Sequence, residues 1–433
     1  MTTGDDIIRI QGGRPLRGAV ELSGSKNGAL PLLAATILVE GETILRNVPA
    51  IEDVFTMLDL LRALGLQAEL AADGTARIVN HGPATHVAPP ELVHKMRASF
   101  WVAGPLLSRL RQAEVALPGG CNLGSRPVDF HLRGFEALGA EVSLRDGLMS
   151  ARAPRLSGAV IRQDGALRSV GATMNIAMAA CLAEGTTIIE NASREPEVVD
   201  LCRFLTKAGA RITGVGADAL RIDGVARLDG VEHPVLSDRI EAGTLLMAAA
   251  ITGGEATLGR IAPEDLGAAL DALARAGLEV RRGAGEVAVR AGGRARAVNI
   301  ATAPFPGFPT DLQPPMTALL CLAEGTSVVE ETIYDGRLGH AEELRKMGAE
   351  IEATSRRAVI RGVERLRGAT LHAHNIRAGA AMVLAALAAE GESRVLGRHV
   401  IDRGYQRFEE KLAGLGACIE IIPNGERGTP CSG

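Results

Sequence analysis

Aromatic residues are scarce in this chain of 433 residues: they make up 3% of the sequence, with one tryptophan and two tyrosines. The formal net charge is −4, so the chain also lacks an excess of lysine and arginine. Proteins that bind nucleic acids usually combine a basic surface with aromatic side chains that stack on bases. The composition therefore argues against a nucleic-acid-binding protein.

The sequence has no apolar run near the roughly 18 residues that a membrane-spanning helix needs. Its first six residues are polar and acidic, unlike the start of a secretory signal. Six cysteines in a chain of this length do not form the framework of a small disulfide-rich protein. These features predict a cytoplasmic protein with no membrane contact.

What the sequence does contain is one pattern repeated six times. A helical segment ends in a glycine turn, and a short apolar strand follows. The turn glycines are 68 to 74 residues apart, at Gly65, Gly139, Gly209, Gly277, Gly348 and Gly416. Glycine ends a helix at low cost because it tolerates the left-handed conformation required just after the C-terminus. Six copies in phase predict a repeat architecture.

Most copies carry a second glycine signature before an earlier strand, as at Glu40-Gly41 and Glu184-Gly185, whereas the second copy has Gln112-Ala113. Apolar residues recur at helical spacing over residues 54–64, and alternating stretches such as 68–78 and 211–222 predict hairpins. Each copy is thus a helix, a strand, a second helix and further strands. The length predicts two domains of three copies each, joined near the polar stretch 224–234. A cleft between two such domains is a preferred ligand site.

The segment 117–129 has the clearest chemical character. Cys121 lies between a glycine pair and a further glycine, which predicts a loop. Arg126 follows shortly after it, and a nearby cation favours the reactive thiolate form of a cysteine. Residue types alone leave two interpretations open, a reactive thiol or an inert loop cysteine.

Two further segments combine a charged side chain with an unusual backbone. Residues 23–28 read Ser-Gly-Ser-Lys-Asn-Gly, and Lys26 supplies a charge suited to phosphate or carboxylate, unless it is simply solvated in a turn. Residues 304–315 are rich in proline and hold Asp311 near the start of a helix. Asp311 is therefore either a helix cap or a rigidly mounted base.

Several single arginines have small neighbours and so suit close contact with an anion, although solvated or paired arginines have the same appearance in a sequence. They are Arg97, Arg239, Arg337, Arg377 and Arg403. His372 and His374 form a His-x-His pair without an acidic or cysteine partner at metal-ligand spacing. The sequence therefore predicts no metal site at this pair.

Together these segments resemble the UDP-N-acetylglucosamine enolpyruvyl transferases, which begin peptidoglycan precursor synthesis. The resemblance spans residues 8–421, and its motifs are residues 23–27, 118–121, 126–129, 195–197, 238–241, 308–311 and 402–405. It implies a two-domain inverted α/β barrel of six βαβαββ units, three per domain. It also implies a first domain of residues 26–232 and a second domain of residues 1–25 and 233–433.

The resemblance implies transfer of the enolpyruvyl group of phosphoenolpyruvate to the 3-hydroxyl of UDP-N-acetylglucosamine, with release of phosphate and no metal or organic cofactor. By the same resemblance, Cys121 is the proton donor and the target of fosfomycin-type epoxides, and Asp311 is the base. Lys26, Arg126 and Arg403 would hold the anionic donor substrate. The other substrate-binding residues implied are Asn27, Arg97, Pro127, Val128, Asp129, Phe130, Arg168, Ser169, Val170, Gly171, Ile333, Arg337 and Arg377.

The chain departs from the family pattern at positions that concern the acceptor. A usual lysine is absent before Ser169, where Arg168 is the nearest replacement, and residues 335–338 read Asp-Gly-Arg-Leu instead of Glu-Asn-Arg-Phe. Asn375 stands where an aspartate is common. An alternative interpretation is therefore a paralogue with the same donor and another nucleotide or sugar-nucleotide acceptor. A catalytically silent nucleotide-sugar sensor is a third, which the retained Cys121 and Lys26 disfavour.

Overall fold

The computed structural model describes residues 6–117, 128–163 and 168–423. Contacts divide the chain into two compact units. One unit lies between Ser23 and Ser237, and the other consists of the residues up to Leu22 and from Asp238 onward. The predictions about Cys121, Arg126 and Pro127 lie outside the described residues and stay predictions.

The helices are short to medium in length and alternate with strands along the chain. They are α1 (Lys26–Ala35), α2 (Glu52–Ala63), α3 (Pro90–Val93), α4 (Ala103–Leu110), α5 (Asp129–Ala137), α6 (Val170–Ala180), α7 (Pro196–Lys207), α8 (Arg239–Ile251), α9 (Gly267–Arg275), α10 (Gln313–Leu320), α11 (His340–Lys346), α12 (Ile376–Ala388), α13 (Arg398–Asp402) and α14 (Phe408–Gly414). Turns of 3₁₀-helix cover Arg97–Val102, Pro263–Leu266 and Thr310–Leu312.

The strands are equally short. They are β1 (Ile7–Gln11), β2 (Arg17–Glu21), β3 (Val39–Arg46), β4 (Gln67–Leu70), β5 (Ala76–Asn80), β6 (Gln112–Ala116), β7 (Glu141–Arg145), β8 (Leu148–Arg152), β9 (Val160–Arg162), β10 (Thr186–Glu190), β11 (Arg211–Thr213), β12 (Ala219–Asp223), β13 (Leu228–Asp229), β14 (Glu232–Pro234), β15 (Glu255–Gly259), β16 (Glu279–Gly283), β17 (Glu286–Arg290), β18 (Ile300–Ala301), β19 (Thr326–Glu330), β20 (Glu350–Ala353), β21 (Arg357–Arg361), β22 (Thr370–His372), β23 (Glu392–Leu396) and β24 (Cys418–Ile422).

The strands form six small sheets, three in each unit, that share one plan. In the sheet β18-β19-β21-β20, β18 and β19 are parallel, whereas β19, β21 and β20 follow one another antiparallel. The second copy, β6-β8-β7, is the exception, because its parallel neighbour is reduced to a single bridge from Val87 to Glu114. The six-fold α/β repeat, with three copies per unit, is confirmed.

The turn glycines behave as the sequence predicts. Their φ angles are 97° at Gly65, 93° at Gly139, 112° at Gly209, 86° at Gly277, 91° at Gly348 and 98° at Gly416. This left-handed region is open to glycine and strained for residues with a Cβ. Each of these glycines therefore marks the end of one helix in its copy of the repeat.

The second signature marks a left-handed residue just before or at the start of a strand. Gly41, Gly185, Gly325 and Gly391 have φ between 85° and 101°. In the second copy, Arg111 stands at this place with φ 62° and ψ 10°, where it ends α4. In the second copy, an arginine thus adopts the left-handed conformation that glycine adopts at Gly41, Gly185, Gly325 and Gly391.

Each unit is built around its own apolar core. In one unit the helices α8, α10 and α12 pack against one another, and every residue of α8 and α10 is buried. A helix buried on all sides has no polar face, which explains the nearly continuous apolar runs in these segments. Among the described residues, no helix is long and apolar enough to cross a membrane.

Two strands join sheets far from them in sequence. β1 lies between β23 and β24 and is antiparallel to both, with Ile8 opposite Val395 and Ile421. In the other unit, β13 and β14 both pair in parallel with β3. The polar stretch 224–234, which the sequence analysis put near the domain junction, thus contributes strands to the unit that begins at Ser23.

Candidate active site

Lys26 is the first residue of α1 and is held by an ion pair. Its Nζ lies 2.6 Å from Oδ2 of Asp53, whose side chain is nearly fully buried in the first turn of α2. Ser25 caps α1, because its hydroxyl accepts a hydrogen bond from the backbone N–H of Gly28 at 3.2 Å. The ammonium group is therefore fixed in place, and Asn27 follows it in the first turn.

The glycines around Lys26 are explained by packing inside the unit. A Cβ at Gly24 would lie 1.7 Å from the carbonyl oxygen of Asn47, and a Cβ at Gly28 would lie 2.5 Å from Leu236. The structure shows that neighbouring parts of the protein already occupy the space.

A buried histidine lies at the start of α5, beside the predicted substrate-binding residues Val128, Asp129 and Phe130. Asn175 accepts a hydrogen bond from the N–H of Gly104 through Oδ1, so its Nδ2 is the atom that donates to Nδ1 of His131, at 3.0 Å. Nδ1 is then an acceptor, which leaves the proton on Nε2. Burial, with the charge of Arg97, lowers the pKa of His131 to about 3, so the ring is neutral.

This neutral ring faces the start of α6. A Cβ at Gly171 would lie 3.0 Å from Nε1 of Trp101 and 3.3 Å from Nε2 of His131, so two N–H groups flank the glycine. Gly171 is also in the first turn of α6, where backbone N–H groups and the helix dipole favour an anion. Trp101, His131 and the helix terminus together can bind a phosphate group.

Arg168 points elsewhere. Its Nη1 lies 2.7 Å from Oδ1 of Asp218 and donates to the carbonyl oxygen of Ala192 at 3.2 Å. The hydrogen bond and charge of Arg168 lower the pKa of the Asp218 carboxyl. Ser169, the next residue, caps α6 by accepting from the N–H of Ala172 at 3.2 Å. The structure thus ties Arg168 to the β11–β12 turn and does not show it replacing the missing lysine.

In the other unit, Asp311 lies between two arginines. Its Oδ1 is 2.6 Å from Nη2 of Arg337, and its Oδ2 is 3.1 Å from Nη2 of Arg377. The arginine side chains are 3% and 5% exposed, whereas the carboxylate is 25% exposed. Two of the five arginines that the sequence analysis singled out thus converge on the predicted base.

Asp311 and its arginines mark the place where three buried helices begin. Asp238 caps α8, Asp311 immediately precedes α10, and Arg377 is the second residue of α12. Burial alone would lower the pKa of Arg377, but Tyr405, Asp311 and Asp238 raise it above its ordinary value. The Arg377–Asp311 ion pair and the packing of Gly243 in α8 against Leu312 bring the starts of the three helices together, where their dipoles favour an anion.

Aromatic rings support the two arginines. The guanidinium of Arg337 lies 5.2 Å from the ring centre of Tyr334, and that of Arg377 lies 5.1 Å from Tyr405. The Tyr405 hydroxyl is 3.0 Å from that of Thr244. Arg403 ends α13 two residues before Tyr405 and is half-buried. Ile333 is also half-buried, and its backbone N–H donates to Glu331.

The sequence matches the EPSP synthase family, 3-phosphoshikimate 1-carboxyvinyltransferase, over residues 10–412. The chain belongs to this enolpyruvyl transferase family. Among curated relatives, the UDP-N-acetylglucosamine 1-carboxyvinyltransferase of Dinoroseobacter shibae is 50% identical, with 96% of this chain and 99% of that protein covered. The protein of the same name from Halorhodospira halophila is 48% identical, with 96% and 99% covered. The resemblance drawn from the motifs is confirmed.

Solved structures of enolpyruvyl transferases have the same fold. NikO from Streptomyces tendae matches with a TM-score of 0.88 at 26% identity, over 96% of this chain and 99% of that one. EPSP synthase from Acinetobacter baumannii matches with a TM-score of 0.74 at 19% identity, over 96% and 100%, and shows the fold alone. The two-domain α/β fold class predicted from the resemblance is confirmed.

Reasoning from the sequence missed three residues around these enolpyruvyl transferase motifs. Trp101 could have been noticed because it is the single tryptophan of the chain. His131 could have been noticed because it lies two residues after Asp129, a predicted substrate-binding residue. No such signal marked Glu331, because a glutamate after a strand is commonplace. Its buried carboxylate becomes visible only in the three-dimensional contacts.

Proposed function

We propose that the protein transfers the enolpyruvyl group of phosphoenolpyruvate to the 3-hydroxyl of UDP-N-acetylglucosamine and releases phosphate. The observation that carries this proposal is near-half identity, over almost the whole chain, to curated relatives of that name. The proposal makes the protein a cytoplasmic enzyme of peptidoglycan precursor synthesis with two small-molecule substrates. It requires no metal or organic cofactor and no nucleic-acid or membrane partner.

In this proposal the reaction is an addition followed by an elimination. Cys121 gives a proton to the methylene carbon of phosphoenolpyruvate, and the sugar hydroxyl oxygen bonds to the neighbouring carbon while its proton passes to Asp311. The tetrahedral adduct then breaks its carbon–oxygen bond to phosphate, and the proton held by Asp311 is given up to the departing phosphate, which restores the ionised base. Loss of a proton from the new methyl group to the Cys121 thiolate restores the double bond. Lys26, Arg126 and Arg403 stabilise the negative charge of the donor and of the departing phosphate.

The surroundings of Asp311 suit a base. The guanidinium groups of Arg337 and Arg377 favour its ionised form, which a base needs before the reaction begins. Both arginines are buried and stacked near aromatic rings, so the carboxylate is held in one place. Its partial exposure leaves room for a hydroxyl group to approach.

The surroundings of Gly171 suit the diphosphate of the acceptor. The N–H groups of Trp101 and His131 and the start of α6 supply donors without a positively charged ring. Val128, Asp129 and Phe130 begin the adjacent helix α5, where we propose that they contact the nucleotide. Arg168 is less well placed for this role because Asp218 already pairs with it.

The deciding experiment measures phosphate release from phosphoenolpyruvate with a panel of acceptors: UDP-N-acetylglucosamine, UDP-N-acetylgalactosamine, UDP and UMP. We expect rapid release with UDP-N-acetylglucosamine and at least 100-fold less with UMP. Turnover with UMP but none with UDP-N-acetylglucosamine would favour the paralogue. Tight nucleotide binding with no turnover on any acceptor would favour the silent sensor.

A further inference from the structure

We propose that Glu331 is a positioning residue, which acts through Thr310 to fix Arg337 and, through Arg337, the carboxylate of Asp311. The inference rests on the proposed function for its kinetic test, and on geometry alone for its structural test. None of the motifs that mark the family in this sequence includes Glu331.

Glu331 follows β19 directly and is 1% exposed. A buried carboxylate is costly unless hydrogen bonds satisfy it. Here four donors do so: the hydroxyls of Thr302 and Thr310, at 2.9 and 2.8 Å, and the backbone N–H groups of Ile333 and Tyr334, at 2.9 and 3.0 Å. The charge is thus compensated entirely by neutral donors, without an ion pair among them.

The two oxygens of this carboxylate have separate partners. Oε1 accepts from Thr302 and from the N–H groups of Ile333 and Tyr334, so it holds the loop after β19. Oε2 accepts from Thr310, which belongs to the 3₁₀ turn that carries Asp311. One oxygen therefore supports the loop, and the other oxygen connects that loop to the turn of the base.

The direction of the hydrogen bonds extends this connection. The Thr310 hydroxyl has one proton, and Glu331 receives it. The lone pairs of Thr310 then face Arg337, whose Nη1 donates to Oγ1 at 2.7 Å while its Nη2 donates to Asp311 at 2.6 Å. The guanidinium fork of Arg337 thus spans Thr310 and Asp311, and two bonds from a planar group fix its orientation as well as its position.

Two substitutions interrupt the connection at different points. Thr310→Val removes the hydroxyl at nearly constant volume. Glu331→Gln can keep its oxygen toward the loop and place an N–H toward Thr310, which reverses the direction of that hydrogen bond. Thr310→Ser retains the hydroxyl and serves as the conservative rescue. Thr332→Val is the matched control, because Thr332 lies in the loop after β19 and its hydroxyl donates to the carbonyl oxygen of Thr302 instead of bonding Thr310.

We expect kcat for phosphate release to fall 10- to 100-fold in Thr310→Val and Glu331→Gln, with KM for phosphoenolpyruvate changed less than threefold. Thr310→Ser and Thr332→Val should stay within threefold of the wild type. Wild-type kcat in Thr310→Val, or an equal loss in Thr332→Val, would overturn the proposal. The second result would mean that only the integrity of the loop matters.

Crystal structures of the Thr310 variants give a readout that needs no substrate. In Thr310→Val the separation of Arg337 Nη2 from Asp311 Oδ1 should exceed 3.5 Å, whereas Thr310→Ser should keep it near 2.6 Å. An unchanged pair in Thr310→Val would refute the positioning role even in an active enzyme. A displaced pair in a protein inactive with every acceptor would support positioning while the proposed function fails.

Discussion

Asp311 is an ion-paired carboxylate, and this pairing affects what a substitution there can test. Asp311→Ala would leave two buried guanidinium groups without their shared anion, so loss of activity and loss of stability would be mixed. Asp311→Asn keeps the shape and one of the two acceptor oxygens, while its amide NH2 faces the donors of the other arginine. It removes the charge that accepts the hydroxyl proton.

We expect Asp311→Asn to lower kcat at least 100-fold while the protein remains folded, with a loss of about 1–3 kcal/mol in unfolding free energy. Steady-state assays and thermal melts check the two effects separately. Asp335→Asn is the control, since Asp335 lies two residues before Arg337 and its exposed carboxylate pairs only loosely with Arg356, at 3.6 Å. A variant Asp311→Asn with wild-type turnover would remove Asp311 from the mechanism.

The cysteines differ in their surroundings, which predicts selective alkylation. Cys181, Cys202 and Cys321 are buried, and burial raises the pKa of all three thiols, to about 12 for Cys202. Such thiols are unreactive at neutral pH because the thiolate is the nucleophile. We therefore expect a fosfomycin-type epoxide to add once, at Cys121.

Intact-mass spectrometry with peptide mapping checks this prediction. Cys121→Asp should stay active, because a carboxylic acid can also deliver a proton, and should lose the adduct. Two results would contradict a reactive thiol at position 121. One is an adduct found only at Cys431, and the other is no adduct at all after incubation without phosphoenolpyruvate analogues.

At the scale of single elements, the copies of the repeat differ in how they meet one backbone requirement. Glycine supplies the left-handed residue near the start of β3 and just before β10, β19 and β23, whereas Arg111 supplies it before β6. A side chain in this conformation costs about 1–2 kcal/mol relative to glycine. The second copy therefore contains a local strain that its counterparts avoid.

Arg111→Gly should raise the unfolding free energy of the Ser23–Ser237 unit by about 1 kcal/mol, by relieving this strain. Nη1 of Arg111 is buried without a hydrogen-bond partner, so loss of the guanidinium should not offset the gain. Urea melts of the wild type and the variant provide the measurement. Arg111→Ala is the matched control: it also removes the guanidinium but keeps a Cβ, and a gain equal to that of Arg111→Gly would show that backbone strain is not the cause.

The elements also show where sequence reasoning succeeds. A left-handed φ restricts a position to glycine so strongly that Gly65 and its counterparts reveal the ends of six helices. The pairing of Arg337 with Asp311 leaves no pattern in the sequence. The two residues are 26 positions apart, and only the folded structure brings them together. The ion pair between Arg168 and Asp218 likewise has no sign in the sequence, and the role of Arg168 in substrate binding stays a prediction.

At the scale of the molecule, each unit contains a buried histidine whose pKa is lowered, His131 in one unit and His340 in the other. Burial lowers the pKa of His131 to about 3, with the charge of Arg97 contributing, and it lowers the pKa of His340 to about 4, although the backbone of Arg337 opposes part of that shift. In the unfolded chain both groups titrate near pH 6.5. Between these values the unfolded state binds more protons, so stability must fall as the pH drops below about 6.5.

We expect the urea midpoints of both units to decrease from pH 7.5 to pH 5. The unfolding free energy should fall by up to roughly 2 kcal/mol for each histidine. His131→Gln should flatten the pH dependence of the Ser23–Ser237 unit alone, and His340→Gln that of the other unit alone. Melts followed by tryptophan fluorescence report the first unit, where Trp101 lies, and circular dichroism reports both. Identical slopes in wild type and variants would contradict the assignment.

The position of β1 has a consequence for protein synthesis. Residues Ile7–Gln11 leave the ribosome long before their partners, Glu392–Leu396 and Cys418–Ile422. The unit that begins at Ser23 pairs its described strands among themselves, so it can fold while translation continues. The segment Ile7–Gln11, with the apolar Ile8 and Ile10, must therefore wait unpaired until β23 and β24 have been synthesised, which gives a ribosome-associated chaperone reason to shield it.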